Sequence, residues 1–122
     1  MTMEIKELIG KTLTKIENNN DEELVFYVDG VKKYRMYHTP DCCESVMIED
    51  IIGSLDDLVG SPILKASEDT FDKNPEGIEK EYQDSFTWTF YNISTIKGTA
   101  TIRWYGESNG YYSESVDFEE II

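Results

Sequence analysis
In the last third of the chain two aromatic runs alternate with a period of two. Phe86, Trp88 and Phe90 alternate with Thr87, Thr89 and Tyr91, and Ala100, Ile102 and Trp104 then alternate with Thr99, Thr101, Arg103 and Tyr105. Successive side chains of a strand point to opposite faces, so this pattern fits two strands and does not fit a helix, whose faces recur every ~3.6 residues. A third run extends from Tyr111 to Phe118. Joined by Ser94 to Gly98 and by Glu107 to Gly110, the three runs read as an antiparallel meander. One aromatic face would pack inside, and one Thr-rich face would be left for solvent or a partner.

The earlier sequence adds shorter elements. Met3 to Ile9 can form a short helical turn set before Gly10, and Lys11 to Glu17 alternates as a first strand. Asn18 to Asp21 has turn chemistry. Leu24 to Val28 and Val31 to Tyr37 flank Asp29-Gly30, the signature of a two-residue hairpin turn. Val46 to Ile52 is a β-branched strand, and Ser54 can cap a short helix through Leu58 that stops at Gly60. After Pro62 the chain resumes as an extended segment through Ile63 and Leu64, and residues 67–81 are polar enough to read as an exposed loop. The fold expected is therefore α+β: one domain over residues 1–122, mainly antiparallel sheet, with one or two short helices.

Charge and cysteine usage narrow the class of function. Twenty-five Asp and Glu against eleven Lys and Arg give a net charge of -14. Such a surface repels DNA, RNA and anionic lipid heads. No secretory h-region and no apolar run of the ~20 residues that span a bilayer is present, so the chain is expected to stay in the cytosol. Cys42 and Cys43 are neighbours, cannot staple distant segments, and are expected as a packed, reduced pair.

The segment HTPDCCE gathers His38, Asp41, Cys42, Cys43 and Glu44 within seven residues. Adjacent thiolates cannot readily turn toward one ion, so the spacing argues against a zinc site. His38 is the only histidine and its spacing to the cysteines does not support a triad. The acidic neighbours Glu49-Asp50 and Asp56-Asp57 would point to opposite faces of a strand, which argues against a catalytic carboxylate pair. No Gly-rich phosphate loop occurs. The chain is thus expected to be no enzyme, with no catalytic residue, metal or cofactor.

The residues left are suited to binding. Arg103 lies on the Thr and Tyr face of its strand, where it either pairs with an acid or offers a guanidinium to a phosphate. RWYGESNGYYSES places Tyr105, Asn109 and Tyr112 around a tight turn, which is either a hairpin corner or a cluster of rings and hydrogen-bonding groups.

The blocks HTPDCCESVMIEDIIGSLDDLVGSPILKASE and TWTFYNISTIKGTATIRWYGESNGYYSESVDF cover about half of the chain and resemble the first-described Thoeris anti-defence proteins of phages and prophages. That resemblance implies a sponge. A cyclic ADP-ribose isomer made by a bacterial TIR enzyme would be captured intact in the host cytoplasm, and the downstream effector would lose its activator. It also implies a homo-oligomer, dimeric or larger, with cyclic oligonucleotides as a second class of ligand. In this reading Arg103 and the backbone near Asn109 would meet the pyrophosphate, with Phe86, Trp88, Phe90, Tyr105 and Tyr112 supplying rings and Asn92 reading a base edge or ribose hydroxyl. The rival reading is an acidic phage inhibitor that binds a host defence protein directly as a nucleic-acid mimic; the acids are scattered along the chain instead of forming the block a mimic would favour.

Overall fold
The computed structural model describes residues 3–28, 32–79 and 83–121. Eight strands form two four-stranded sheets in which every pairing is antiparallel. The first sheet has the order β1 (Leu13–Asn19), β2 (Glu23–Val28), β3 (Lys32–Tyr37), β8 (Asp117–Ile121). The second has the order β4 (Ser45–Ile52), β7 (Gly98–Ser108), β6 (Ser85–Thr95), β5 (Lys65–Phe71). Both sheets feed one apolar core. Leu24, Phe26, Met36 and Phe118 come from the first, Ile93, Ala100, Ile102 and Trp104 from the second. The indole N–H of Trp104 donates to the Met36 sulfur at 3.2 Å, a contact that joins the sheets directly.

The expected α+β class resolves to a nearly all-β domain. Among the described residues there is no α-helix, only two single 3-10 turns at Ile5–Leu8 and Leu55–Leu58. Each has four residues, too few to repay helix nucleation, and is held by local bonds instead. The Ser54 hydroxyl accepts from the Asp56 amide at 3.2 Å, the cap its position suggested. No helix among the described residues is long and apolar enough to cross a membrane.

The hairpin of β2 and β3 forms in register from Glu23↔Tyr37 to Val28↔Lys32, while its Asp29-Gly30 turn lies outside the described residues. Residues 67–71 are not loop: they belong to β5, which pairs with β6 along its whole length. A polar strand fits there because β5 is a sheet edge, and six of its seven residues, all but Ala66, are exposed. The meander also stops one strand short. β6 and β7 form an unbroken hairpin, but residues 111–116 are irregular and β8 crosses to the first sheet, where Phe118 pairs with Met36.

The sidedness of β6 is the larger correction. Directly opposed residues share a face, and Thr89 stands opposite Trp104 while Trp88 stands opposite Tyr105. With Trp104 and Ile102 in the core, Thr89, Tyr91 and Ile93 must point inward, and Phe86, Trp88 and Phe90 point outward. Trp88 is nevertheless fully buried because Asn74 and Gln83 cover it from outside. The β6–β7 hairpin is therefore packed on both faces.

The return segment after β7 lies close to the inward face at Gly106. A Cβ there would stand 2.7 Å from the Glu114 carbonyl and 3.1 Å from a Val46 methyl, so the close approach requires glycine.

The core account has a direct test. Ile102→Ala should destabilise the domain by about 2–5 kcal/mol, against about 0.5 or less for Ile96→Ala at the exposed hairpin tip. Urea unfolding of both variants reads the contrast, and equal losses would contradict the two-sheet core.

Candidate functional site
Six of the eight residues expected to bind a ligand come together on the outer face of the β6–β7 hairpin. The Trp88 ring lies 4.7 Å from Tyr105 and 6.4 Å from Phe90, and Phe86 stacks on Tyr105 at 6.2 Å. Asn92 accepts from the Thr101 hydroxyl at 2.7 Å. Asn109 and Tyr112 lie beyond the end of β7. Asn109 holds the turn by accepting from the Tyr111 amide at 3.0 Å, and Tyr112 is half-buried on the inward side.

Arg103 is engaged by acids. β4 carries a bulge, in which Ile48 pairs with Trp104 and Asp50 with Arg103, leaving Glu49 as the extra residue. The bulge directs both carboxylates to one guanidinium. Arg103 donates through Nε and Nη2 to Glu49 at 2.6 Å each, and Asp50 lies at 3.6 Å. Its guanidinium also lies 5.4 Å from the Trp88 ring centroid. Of the two roles open to Arg103, this geometry supplies the ion pair.

Sequence reasoning did not identify the cover over this face. Asn74 and Gln83 bond each other reciprocally, Nδ2 to Oε1 at 2.8 Å and Nε2 to Oδ1 at 3.0 Å. The same Asn74 oxygen accepts from Trp88, and Gln83 donates to the Tyr105 hydroxyl at 2.8 Å. The available signal was a pair of amides flanking Pro75 and Gly77 in an otherwise charged stretch.

HTPDCCE forms a clasp. Glu44 Oε1 accepts from the Asp41 amide at 2.6 Å and faces His38 Nε2 at 3.0 Å, while Oε2 accepts from the Cys42 amide at 3.2 Å. His38 Nδ1 lies 2.7 Å from the Ser115 carbonyl, so both ring nitrogens are occupied and neither is directed at a thiol. Cys42 and Cys43 are joined to each other in a disulfide and both are exposed, which replaces the expected packed, reduced pair. No group of three or more His, Cys, Asp or Glu among the described residues is placed to hold a metal ion.

The clasp and the end of β7 share one cleft. Because Ser45 pairs with Glu107, residues 43–45 form one wall and Tyr105 with residues 107–109 the other, with Asp84 also lining it. The cleft has a volume of about 580 Å³. Among the described residues its lining holds one phenol ring, hydroxyls, an amide and three carboxylates, and no Lys or Arg. A ring can stack there and a sugar can hydrogen-bond to the carboxylates.

A family model described as a domain of unknown function, DUF7448, matches residues 6–118, which include both walls of the cleft. The chain belongs to that family. No curated protein and no solved structure matches it.

In this DUF7448 domain Glu44 carries the clearest electrostatic signature. The Asp41 amide first, then His38 and the Cys42 amide, lower its carboxyl to about 2. A carboxyl depressed in the fold stabilises it above the unfolded-state value, about 4.3, and that contribution disappears as pH falls toward the folded-state value. Thermal melts of wild type and Glu44→Gln should therefore differ most near neutral pH and converge between about pH 4 and pH 2. A gap independent of pH would mean that the clasp does not depend on the charge of Glu44.

Proposed function
We propose that this DUF7448 protein is a non-catalytic sponge that captures a TIR-derived cyclic ADP-ribose isomer in the host cytoplasm and so blocks Thoeris immunity. The observation that supports it is convergence. The two segments that carry the resemblance, DCCE and IRWYG-SNGYYSE, are distant in sequence and form opposite walls of one cleft. Its volume lies in the range of small-molecule sites, roughly 300–1,000 Å³.

The chemistry assigns parts to the walls. Tyr105 offers the stacking face for the adenine, and Asn109 and the serine hydroxyls meet ribose or pyrophosphate oxygens. Glu44 and Glu107 accept from ribose hydroxyls. Because no cation among the described residues lines the cleft, the pyrophosphate relies on N–H and hydroxyl donors and on a positive group from a second protomer. Arg103 supports the site indirectly, by fixing the β4 bulge beside β7. The protein then acts as a homo-oligomer in which one copy completes the site of another.

The test is capture and release. Purified protein is incubated with a TIR-derived cyclic ADP-ribose preparation, freed of unbound material and heat-denatured, and the released fraction is read by mass spectrometry. Intact ligand is expected from wild type. Tyr105→Ala should retain about tenfold less or lower still, since stacking one base contributes about 1–3 kcal/mol. No retained nucleotide from folded wild type would overturn the sponge reading, and an altered nucleotide would replace it with an enzyme.

A further inference from the structure
The bond between Cys42 and Cys43 stands against the cleft. Cys43 lines the cleft, both cysteines are exposed, and Ser45 pairs with Glu107 of the opposite wall. A disulfide at the surface is open to attack by a thiolate from solvent, and exposed disulfides are the labile and regulatory kind.

Adjacent cysteines joined to each other close a small ring that contains the peptide bond between them. Extended backbone would send the two side chains to opposite faces, where the sulfurs could not meet. The chain accordingly bends at Cys42 and Cys43 and becomes strand only at Ser45. In this bend the Cys42 amide donates to Glu44 at 3.2 Å, beside the Asp41 amide at 2.6 Å.

Glu44 carries the coupling onward. Its side chain is only 2 % exposed, so its charge depends on those two amides and on His38 Nε2 at 3.0 Å. His38 in turn meets the Ser115 carbonyl at 2.7 Å. The disulfide sets the bend, the bend places a donor on a buried carboxylate, and the carboxylate holds His38 against the return segment. Cys43, Glu44 and Ser45 all line the cleft, so a change at the disulfide reaches its wall directly.

Negative charge selects the reagent. Asp41 and Glu44 flank the pair, and Asp84 and Glu107 line the same cleft. An anionic thiol such as glutathione is repelled there, and a neutral dithiol is favoured.

We propose that Cys42–Cys43 is a thiol–disulfide exchange site for a dithiol reductant, and that its redox state opens and closes the cleft. A thiolate of the reductant attacks one exposed sulfur, the Cys42–Cys43 bond breaks, and a mixed disulfide forms. The second thiol of the reductant attacks that mixed disulfide, and the reductant leaves as a disulfide. Two electrons and two protons pass to Cys42 and Cys43, which remain as thiols. The released backbone extends, the Cys42 amide leaves Glu44, and the wall formed by residues 43–45 moves. The disulfide form holds ligand and the dithiol form releases it, a consequence that rests on the sponge reading of the same cleft.

Amide spectra of the labelled full chain, recorded without nucleotide before and after dithiothreitol, test the switch by itself. Reduction should shift Asp41 through Ser45 and, across the cleft, Glu107 and Asn109, while Ile96 at the hairpin tip stays still. Iodoacetamide should label both cysteines after dithiothreitol and neither before it. The double variant Cys42→Ser, Cys43→Ser should show the reduced-type shifts in either buffer. In the capture assay dithiothreitol should lower retention of cyclic ADP-ribose by wild type about tenfold, the size of one lost hydrogen bond to a charged group, and leave the double variant unchanged. Labelling before reduction, or shifts confined to Cys42 and Cys43, would overturn the proposal. Wild type whose cleft shifts on reduction but which retains no nucleotide in either form would support the switch and overturn the sponge reading alone.

Discussion
The register of β6 on β7 is the constraint from which the rest follows. Thr89 opposite Trp104 and Trp88 opposite Tyr105 assign every side chain of the hairpin to one of two faces, and a slip of one residue would exchange them. Trp104 and Ile102 turn inward to meet the first sheet, so Trp88, Phe90 and Arg103 must turn outward. That outer face is too aromatic to leave bare, and the Asn74–Gln83 pair covers it. Two central strands covered on both sides give a rigid base whose end carries the cleft.

Much of the fold was legible from local chemistry. The strands at Leu24 to Val28, Val46 to Ile52 and through the β6–β7 hairpin follow from alternation and β-branched content, and the Ser54 turn follows from its cap. Sidedness was not legible. Phe86, Trp88 and Phe90 form the more apolar set by any scale, and only the companions Asn92 and Ser94 on the same parity mark that set as outward. Pairing over long sequence separation was equally hidden: β8 reaches β3 across some eighty residues, as in Arg35 with Glu119, and no local signal encodes that. The polar stretch containing Ser67 became β5 because an edge strand needs backbone partners more than apolar side chains.

The candidate site divides along the same line. Its rings and amides were recognisable by type, but their partners depend on the fold. Arg103 reads as an ion-pair partner or a phosphate anchor until the β4 bulge brings Glu49 and Asp50 to it. HTPDCCE gathers ligand-type side chains at a spacing that argues against a metal site, but only the structure shows Glu44 bonding the loop's own amides and His38. Both are cases in which an acidic chain uses carboxylates as internal acceptors, and Glu114, which accepts from Thr87 and Ser108, is a third. The high negative charge is therefore partly structural, with acids organising loops as well as covering the surface.

The claim that most needs testing is that residues 43–45 and 105–109 act as one site. Backbone amide shifts recorded while cyclic ADP-ribose is added to labelled protein test it directly. The account expects both segments to shift together, with one midpoint, while amides at the far tip of the hairpin around Ile96 stay still. Shifts confined to one segment, or centred away from both, would contradict it.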